Sequence, residues 1–160
     1  MSERKAKLRA AIVADHAASM SIFRTLTPEQ WLLPVPSDEG AQWRARDVLA
    51  HVAVSEAGQL GQATRCIAGE VTVPEDFDLN RFNRRSVQKQ AETSVQEFLD
   101  LIERDHARVL STLDATAEAD LDKTGRHARG DTITVEQFFF RITEHRRQHA
   151  EAVRQAVGGG

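Results

Sequence analysis

The sequence predicts an all-α protein, a four-helix bundle. Three features point there: four long segments whose apolar residues recur at helical spacing, an extended break between the first two, and no alternating run long enough to make a convincing strand. A chain of 160 residues is most simply one domain, and it can bury a core without disulfides or a structural metal.

The first segment, from about Glu3 to Leu26, sets Leu8, Ile12, Val13, Met20 and Phe23 on one side. It ends before Thr27-Pro28, where Thr27 is placed to cap a short turn through TPEQW. LLPVPSDEGAQW follows, and Pro34, Pro36 and Gly40 mark it as an extended connection. Trp31 and Trp43 flank this connection, either anchoring it to the bundle end or lending one ring to a cavity wall.

A second helix is expected from about Arg44 to Gly69, with Val48, Leu49, Val52, Ala63, Cys66 and Ile67 buried. Gly58 and Gly61 weaken it locally and permit close helix packing. In the loop GEVTVPEDF the VTV at 71–73 is too short and isolated to be a strand. A third helix is predicted from near Asp78 to about Leu113, through Val95, Phe98, Leu99, Ile102 and Val109, although its polar start LNRFNRRSVQKQ is either helical or irregular.

The loop DATAEADLDKTGRHARGD leads to a fourth helix, from about Thr134 to Val157. With mostly antiparallel neighbours and no internal repeat, residues 1–157 read as a single domain and 158–160 as a flexible tail. The FFF run at 138–140 covers more than one helix face, so at least one ring should point outward, into a dimer contact or beneath a neighbouring helix.

Composition narrows the chemistry. With 41% hydrophobic and 28% charged residues and a formal net charge of -3, the chain carries no strong field for nucleic acid or anionic lipid. The charged N-terminus lacks the apolar run of a signal peptide, and no segment approaches a membrane span, so a cytoplasmic location is expected. One cysteine, Cys66, excludes an intrachain disulfide and a thiolate-rich zinc site, leaving histidine and carboxylate as ligands for any transition metal.

In ITEHRRQHAEAV, His145 and His149 stand four residues apart. On a helix that spacing puts their Cβ atoms roughly 6 Å apart, within reach of one divalent ion. Both fall near the stripe of Val135, Phe138, Ile142 and Val153, while Arg146 and Arg147 between them read as solvent-facing. A plain pair of hydrogen-bonded helix histidines satisfies the same pattern. His51, in WRARDVLAHVAVSE, flanks the second apolar stripe and is the third candidate; three imidazoles on two helices would leave coordination positions open.

TPEQW, W-RARDVLAHVA and GDTITVEQFFFRITEHRRQHAEAVRQ together resemble the DinB/YfiT-like family of four-helix bundles over essentially the whole chain. The similarity extends to the N-terminal domain of mycothiol-dependent maleylpyruvate isomerase. The resemblance implies that His51, His145 and His149 hold a divalent ion such as zinc or nickel, with water completing its shell. It also implies a homodimer. Family members often carry Ser or Thr directly after the tryptophan as a helix N-cap; here Arg44 stands there and cannot accept the free amide hydrogens.

Other residues carry weaker signals. His16 and His106 fall near the apolar faces of their helices and either line the same cavity or serve structure; His127, in RHARG, is expected to be exposed. Glu56, Glu144 and Asp47 are the nearest carboxylates for orienting an imidazole, with surface charge and helix-terminus stabilisation as the plainer roles. Cys66 lies fifteen residues beyond His51, about 22 Å along the axis, so any thiol chemistry needs an external thiol.

The function expected from the resemblance is metal-dependent catalysis on a small-molecule substrate, of a transferase or isomerase type that uses mycothiol, bacillithiol or a similar low-molecular-weight thiol. The alternatives are a metal-dependent hydrolase and a non-catalytic, small-molecule- or metal-binding stress-response protein. Neither nucleic acid nor membrane is an expected partner.

Overall fold

A computed structural model describes residues 1–37 and 42–158. Five helices dominate it: α1 (Glu3–Thr25), α2 (Ala45–Ile67), α3 (Leu79–Lys89), α4 (Val95–Ala115) and α5 (Val135–Gly158). The four long ones form the bundle, with α1 against α5, α5 against α2, α2 against α4 and α4 against α1.

Side chains at the helix starts explain where each begins. Ser2 Oγ accepts from Lys5 N–H at α1, and Asp78 Oδ1 from Arg81 N–H at α3. Thr134 and Gln137 exchange hydrogen bonds at α5. Ser94 and Glu97 do the same at α4, and this box starts a new helix. The single third helix expected over 78–113 is therefore two, with 90–94 turning between them. The polar start of that segment is helical. Thr27 and Gln30 close the expected turn after α1 reciprocally.

Two small hairpins correct the expectation of no strands. β1 (Pro34–Val35) pairs antiparallel with β2 (Trp43–Arg44), and β3 (Thr124–Arg126) with β4 (Thr132–Thr134). Each leads straight into a long helix, so together they fix where α2 and α5 begin. The VTV stretch forms no strand. Gly125 in β3 is required by close approach: a Cβ there would lie 2.9 Å from both Cys66 Sγ and Thr72 Cγ2. Gly69, at φ 73, ends α2 in the left-handed conformation while Glu70 N–H reaches back to Arg65 O.

The core is two apolar clusters. One gathers Met20 and Phe23 from the end of α1, Val48 to Ala53 from the start of α2, Phe98 to Ile102 from the start of α4, and Ala150 and Val153 from the end of α5. The other gathers the opposite ends: Leu8 and Ile12, Leu60 to Cys66, Val109 and Leu113, and Val135 to Ile142. This sharing fixes the helix directions. α1 and α5 run one way, α2 and α4 the other, so two of the four neighbouring pairs are parallel rather than mostly antiparallel. The segment 68–94, which includes α3, lets the chain return so that α4 repeats the direction of α2.

Val13, expected inside, is 39% exposed. Phe138 and Phe139 are fully buried and Phe140 is the outward ring, as the FFF run required. Gly58 meets nothing where a Cβ would stand and lines a cavity instead of a helix contact. Among the described residues no helix is long and apolar enough to cross a membrane. Gly158 belongs to α5; the rest of the expected tail, and residues 38–41 of the connection, lie outside the described residues.

Candidate metal centre

The first turns of α2 and the middle of α5 meet at the histidines. His51 is buried, and His145 and His149, one turn apart on α5, are half-buried. His145 Nε2 lies 3.1 Å from His51 Nε2 and 3.0 Å from His149 Nε2, and one ligating nitrogen from each ring falls within 4.8 Å of the others. An imidazole nitrogen offers either one proton or one lone pair in its plane, so the single Nε2 of His145 cannot serve both neighbours well. A cation shared by three lone pairs resolves that conflict, and the donor set suits a borderline-soft divalent ion.

Electrostatics favour the form that binds metal. Burial, then the charge of His149 and of Arg129, lowers His51 to about 3. Burial first, then the neighbouring histidines and Arg129, holds His145 well below the usual histidine range. Both rings are neutral at neutral pH, with lone pairs available. With Nε2 turned to the cluster, His51 Nδ1 carries the proton and faces Ser55 Oγ at 3.3 Å, one turn on. The Trp43 ring sits 5.1 Å from that of His51.

The cluster opens into a cavity of about 810 Å³. Trp43, Val48, Val73, Phe77 and Phe82 give it an apolar side, and His127, Arg129, Arg141 and Glu144 a polar one. Trp43 is thus a cavity wall, while Trp31 packs against Phe23 in the core.

The remaining candidates go elsewhere. Asp47 accepts from the Arg44 backbone N–H at 2.9 Å and pairs with its guanidinium, so it serves the start of α2 and not His51. This is the carboxylate half of a capping box whose other half a guanidinium cannot supply. Glu56, expected at the surface, is 0% exposed and paired with Arg146, itself 0% exposed and not solvent-facing as expected. His127 is 5% exposed where exposure was expected. Cys66 is buried, its thiol pushed up by burial, and it does not line the cavity.

His16 and His106 do not line the cavity either; they form a polar layer between the two apolar clusters. Their rings stack with centroids 3.6 Å apart and planes 2° apart. Arg146 donates to His16 Nδ1, so the proton of His16 sits on Nε2, which donates to Glu103 Oε2 at 3.0 Å. Burial, with Asp105 and Glu103 adding like charge, pushes Glu56 up to about 7 against the pull of Arg146.

Reasoning on the sequence missed Ser55, Gln62, Arg129 and this layer. The layer had a signal: Glu56 stands four from both Val52 and Leu60, and Arg146 four from both Ile142 and Ala150, squarely on the buried stripes.

Comparisons with known proteins agree with this architecture. No curated protein matches in sequence. The solved structure of mycothiol-dependent maleylpyruvate isomerase superposes with TM-score 0.77 at 13% identity, covering 96% of this chain and 63% of that one. The chain therefore spans less than two thirds of that enzyme. YfiT from Bacillus subtilis, described as a probable metal-dependent hydrolase with an unusual four-helix bundle topology, gives 0.74 at 17% identity, covering 99% and 90%. An uncharacterised protein from Escherichia coli UTI89 gives 0.78 at 14%, covering 99% and 95%. At such identities these likenesses speak for the fold alone. The sequence itself matches the DinB superfamily over residues 7–153, which takes in all of α2 and α4, most of α1 and α5 and all three clustered histidines, and the chain belongs to that family.

Proposed function

We propose that the protein is a metal-dependent enzyme in which His51, His145 and His149 hold one divalent ion, zinc or nickel, through their Nε2 atoms. The observation that carries this reading is the convergence of three imidazole nitrogens on one point beside a large cavity. A divalent ion in that position supplies Lewis acidity, which keeps a thiol or a water ionised near neutral pH.

The nucleophile we favour is an external low-molecular-weight thiol of the mycothiol or bacillithiol kind. Cys66, 3% exposed and off the cavity, cannot take its place. The chain's own residues hold the reacting partners: Ser55 fixes the His51 ring, Trp43 closes one wall, and the apolar side excludes water from an electrophilic substrate. The likeness to the mycothiol-dependent isomerase, whose length this chain only partly spans, supports the thiol reading.

A hydrolase is the second reading, favoured by Glu144 on the cavity wall, a carboxylate able to take a proton from water. Activity that requires added thiol would separate the two. The exposed Phe140 is consistent with a homodimer through helix faces, which a monomer mass by light scattering at micromolar concentration would reject.

The deciding experiment is elemental analysis after metal supplementation of the wild type beside His51→Ala, His145→Ala and His149→Ala. One metal per chain in the wild type and loss in all three variants is expected. Metal retained in all three would sink the proposal.

A further inference from the structure

The polar side of the cavity carries more cationic than anionic side chains. Among the described lining residues Arg65, Arg129 and Arg141 are cationic and Glu144 is the one carboxylate, on a chain whose net charge is -3. Two of the arginines are already engaged. Arg141 forms a two-pronged pair with Asp131 at 3.0 and 2.5 Å, and Arg65 donates twice to Thr72 O at 3.0 and 2.8 Å. The Arg129 guanidinium has no hydrogen bond or ion pair among the described residues.

Its backbone, by contrast, is held firmly. The loop joining β3 to β4 is closed by His127 N–H to Asp131 O and Gly130 N–H to His127 O, both 2.8 Å. Ala128 N–H donates to Gln62 Oε1 of α2 at 3.1 Å, which ties the loop to the helix carrying His51. Arg129 N–H donates to His127 Nδ1 at 3.1 Å. That bond puts the proton of the neutral His127 ring on Nε2. Nε2 is buried and has no acceptor among the described residues, although the ring itself lines the cavity. The Arg129 side chain is exposed and lines the same cavity as His51 and His145.

We infer that the Arg129 guanidinium binds the acidic head of the substrate, and that the substrate is a small organic acid whose apolar body lies along Trp43, Val48 and Phe77. The hydrogen-bonded loop fixes the Arg129 backbone, so binding has only the side chain to order. The catalytic purpose of this subsite rests on the metal-centre proposal above, but the binding does not require the metal.

The test uses hydrocinnamate as an acid with an apolar body and its primary amide as the neutral counterpart, titrated calorimetrically into metal-free protein. Wild type should prefer the acid to the amide, and the preference should shrink as salt is raised. Arg129→Gln should weaken the acid at least about tenfold, the scale of a charge-assisted hydrogen bond, and leave the amide unchanged. Arg104→Gln, an equal change of charge on the exposed face of α4 away from the cavity, should alter neither. Equal affinity for acid and amide, no binding of either, or equal effects of the two substitutions would overturn the inference. Zinc content, measured on the same samples, separates the two proposals: loss of acid preference in Arg129→Gln with zinc retained concerns this subsite alone. A wild type that takes up no zinc yet prefers the acid would remove the metal centre and leave the subsite.

Discussion

His145 and Arg146 are adjacent on α5 and open onto opposite worlds. His145 turns toward a cavity mouth where two other imidazoles meet it. Arg146 turns into the bundle, where Glu56 and His16 take two of its nitrogens and no solvent reaches it. One region gathers imidazole nitrogens around a place for a charge. The other has its charges already paired. The first lies beside an open cavity; the second lies at one level of all four bundle helices and punctuates the core.

The largest effect should come from breaking the paired region. Arg146→Met strands Glu56 without its partner at 0% exposure, and uncompensated buried charges cost about 3–5 kcal/mol. Chemical denaturation should show a loss of that size. Adding Glu56→Leu should recover it, since replacing a whole buried pair by apolar groups is neutral or stabilising by up to about 4 kcal/mol. If the double variant is as unstable as the single one, the layer works as a wider hydrogen-bond network through His16 and Glu103, and not as a pair. The folded double variant should still take up one zinc.

The converse break is His145→Ala. Zinc at about 100 times its dissociation constant should stabilise the wild type by about 2.7 kcal/mol, seen as a rise in melting temperature. The variant should show no rise, with metal-free stability close to that of the wild type. A large loss without zinc would mean that the cluster, like the layer, holds the bundle together.

Legibility in the sequence followed the same divide. His51, His145 and His149 were readable because residue type and helical spacing agree, and a family pattern gave the third member. Arg146 and Glu56 were misread because a charged side chain is ordinarily assigned to solvent, although their spacing from Ile142 and Leu60 put them on the buried stripes. The break at residues 90–94 was marked by Ser94 and Glu97, yet continuous apolar spacing on either side masked it. The two hairpins are two and three residue pairs long; strands so short leave no alternation to detect. His127 is buried by the hairpin it closes, through contacts from Arg129, Asp131 and Phe138 that no local pattern encodes.

A smaller effect should distinguish the layer by pH. Burial first, then His16 and Arg146, lowers His106 from 6.5 to about 4. Above 6.5 the ring is neutral folded and unfolded, and its full contribution is present. As pH falls toward 4 the unfolded chain takes up the proton first, so stability is lost across that window. With screening at the edge of the layer, the loss is on the order of 1 kcal/mol. His106→Phe keeps a flat ring against His16 and removes the titration, so denaturation of zinc-free protein should show a shallower fall from pH 6.5 to 4. An unchanged slope would assign the acid sensitivity to the other buried histidines.

The smallest effect belongs to the start of α2, which carries both His51 and Glu56. Arg44 lacks the acceptor that an N-cap requires, and only Asp47 contributes to the box. Arg44→Ser supplies a hydroxyl for the Asp47 N–H, while the Asp47 carboxylate goes on accepting from the backbone amide of the substituted residue. The gain of a cap, about 1 kcal/mol, exceeds the exposed ion pair that is lost, worth about 0.5 kcal/mol. Stability should therefore rise by roughly 0.5 kcal/mol, equally with and without zinc. Equality is the informative part. His51 lies nearly two turns from the cap and Glu56 more than three, so a cap that only stops fraying adds the same amount to both forms. A gain confined to the zinc-loaded protein would mean that the first turn of α2 is loose enough to move His51, and that the missing cap tunes the metal centre instead of the helix.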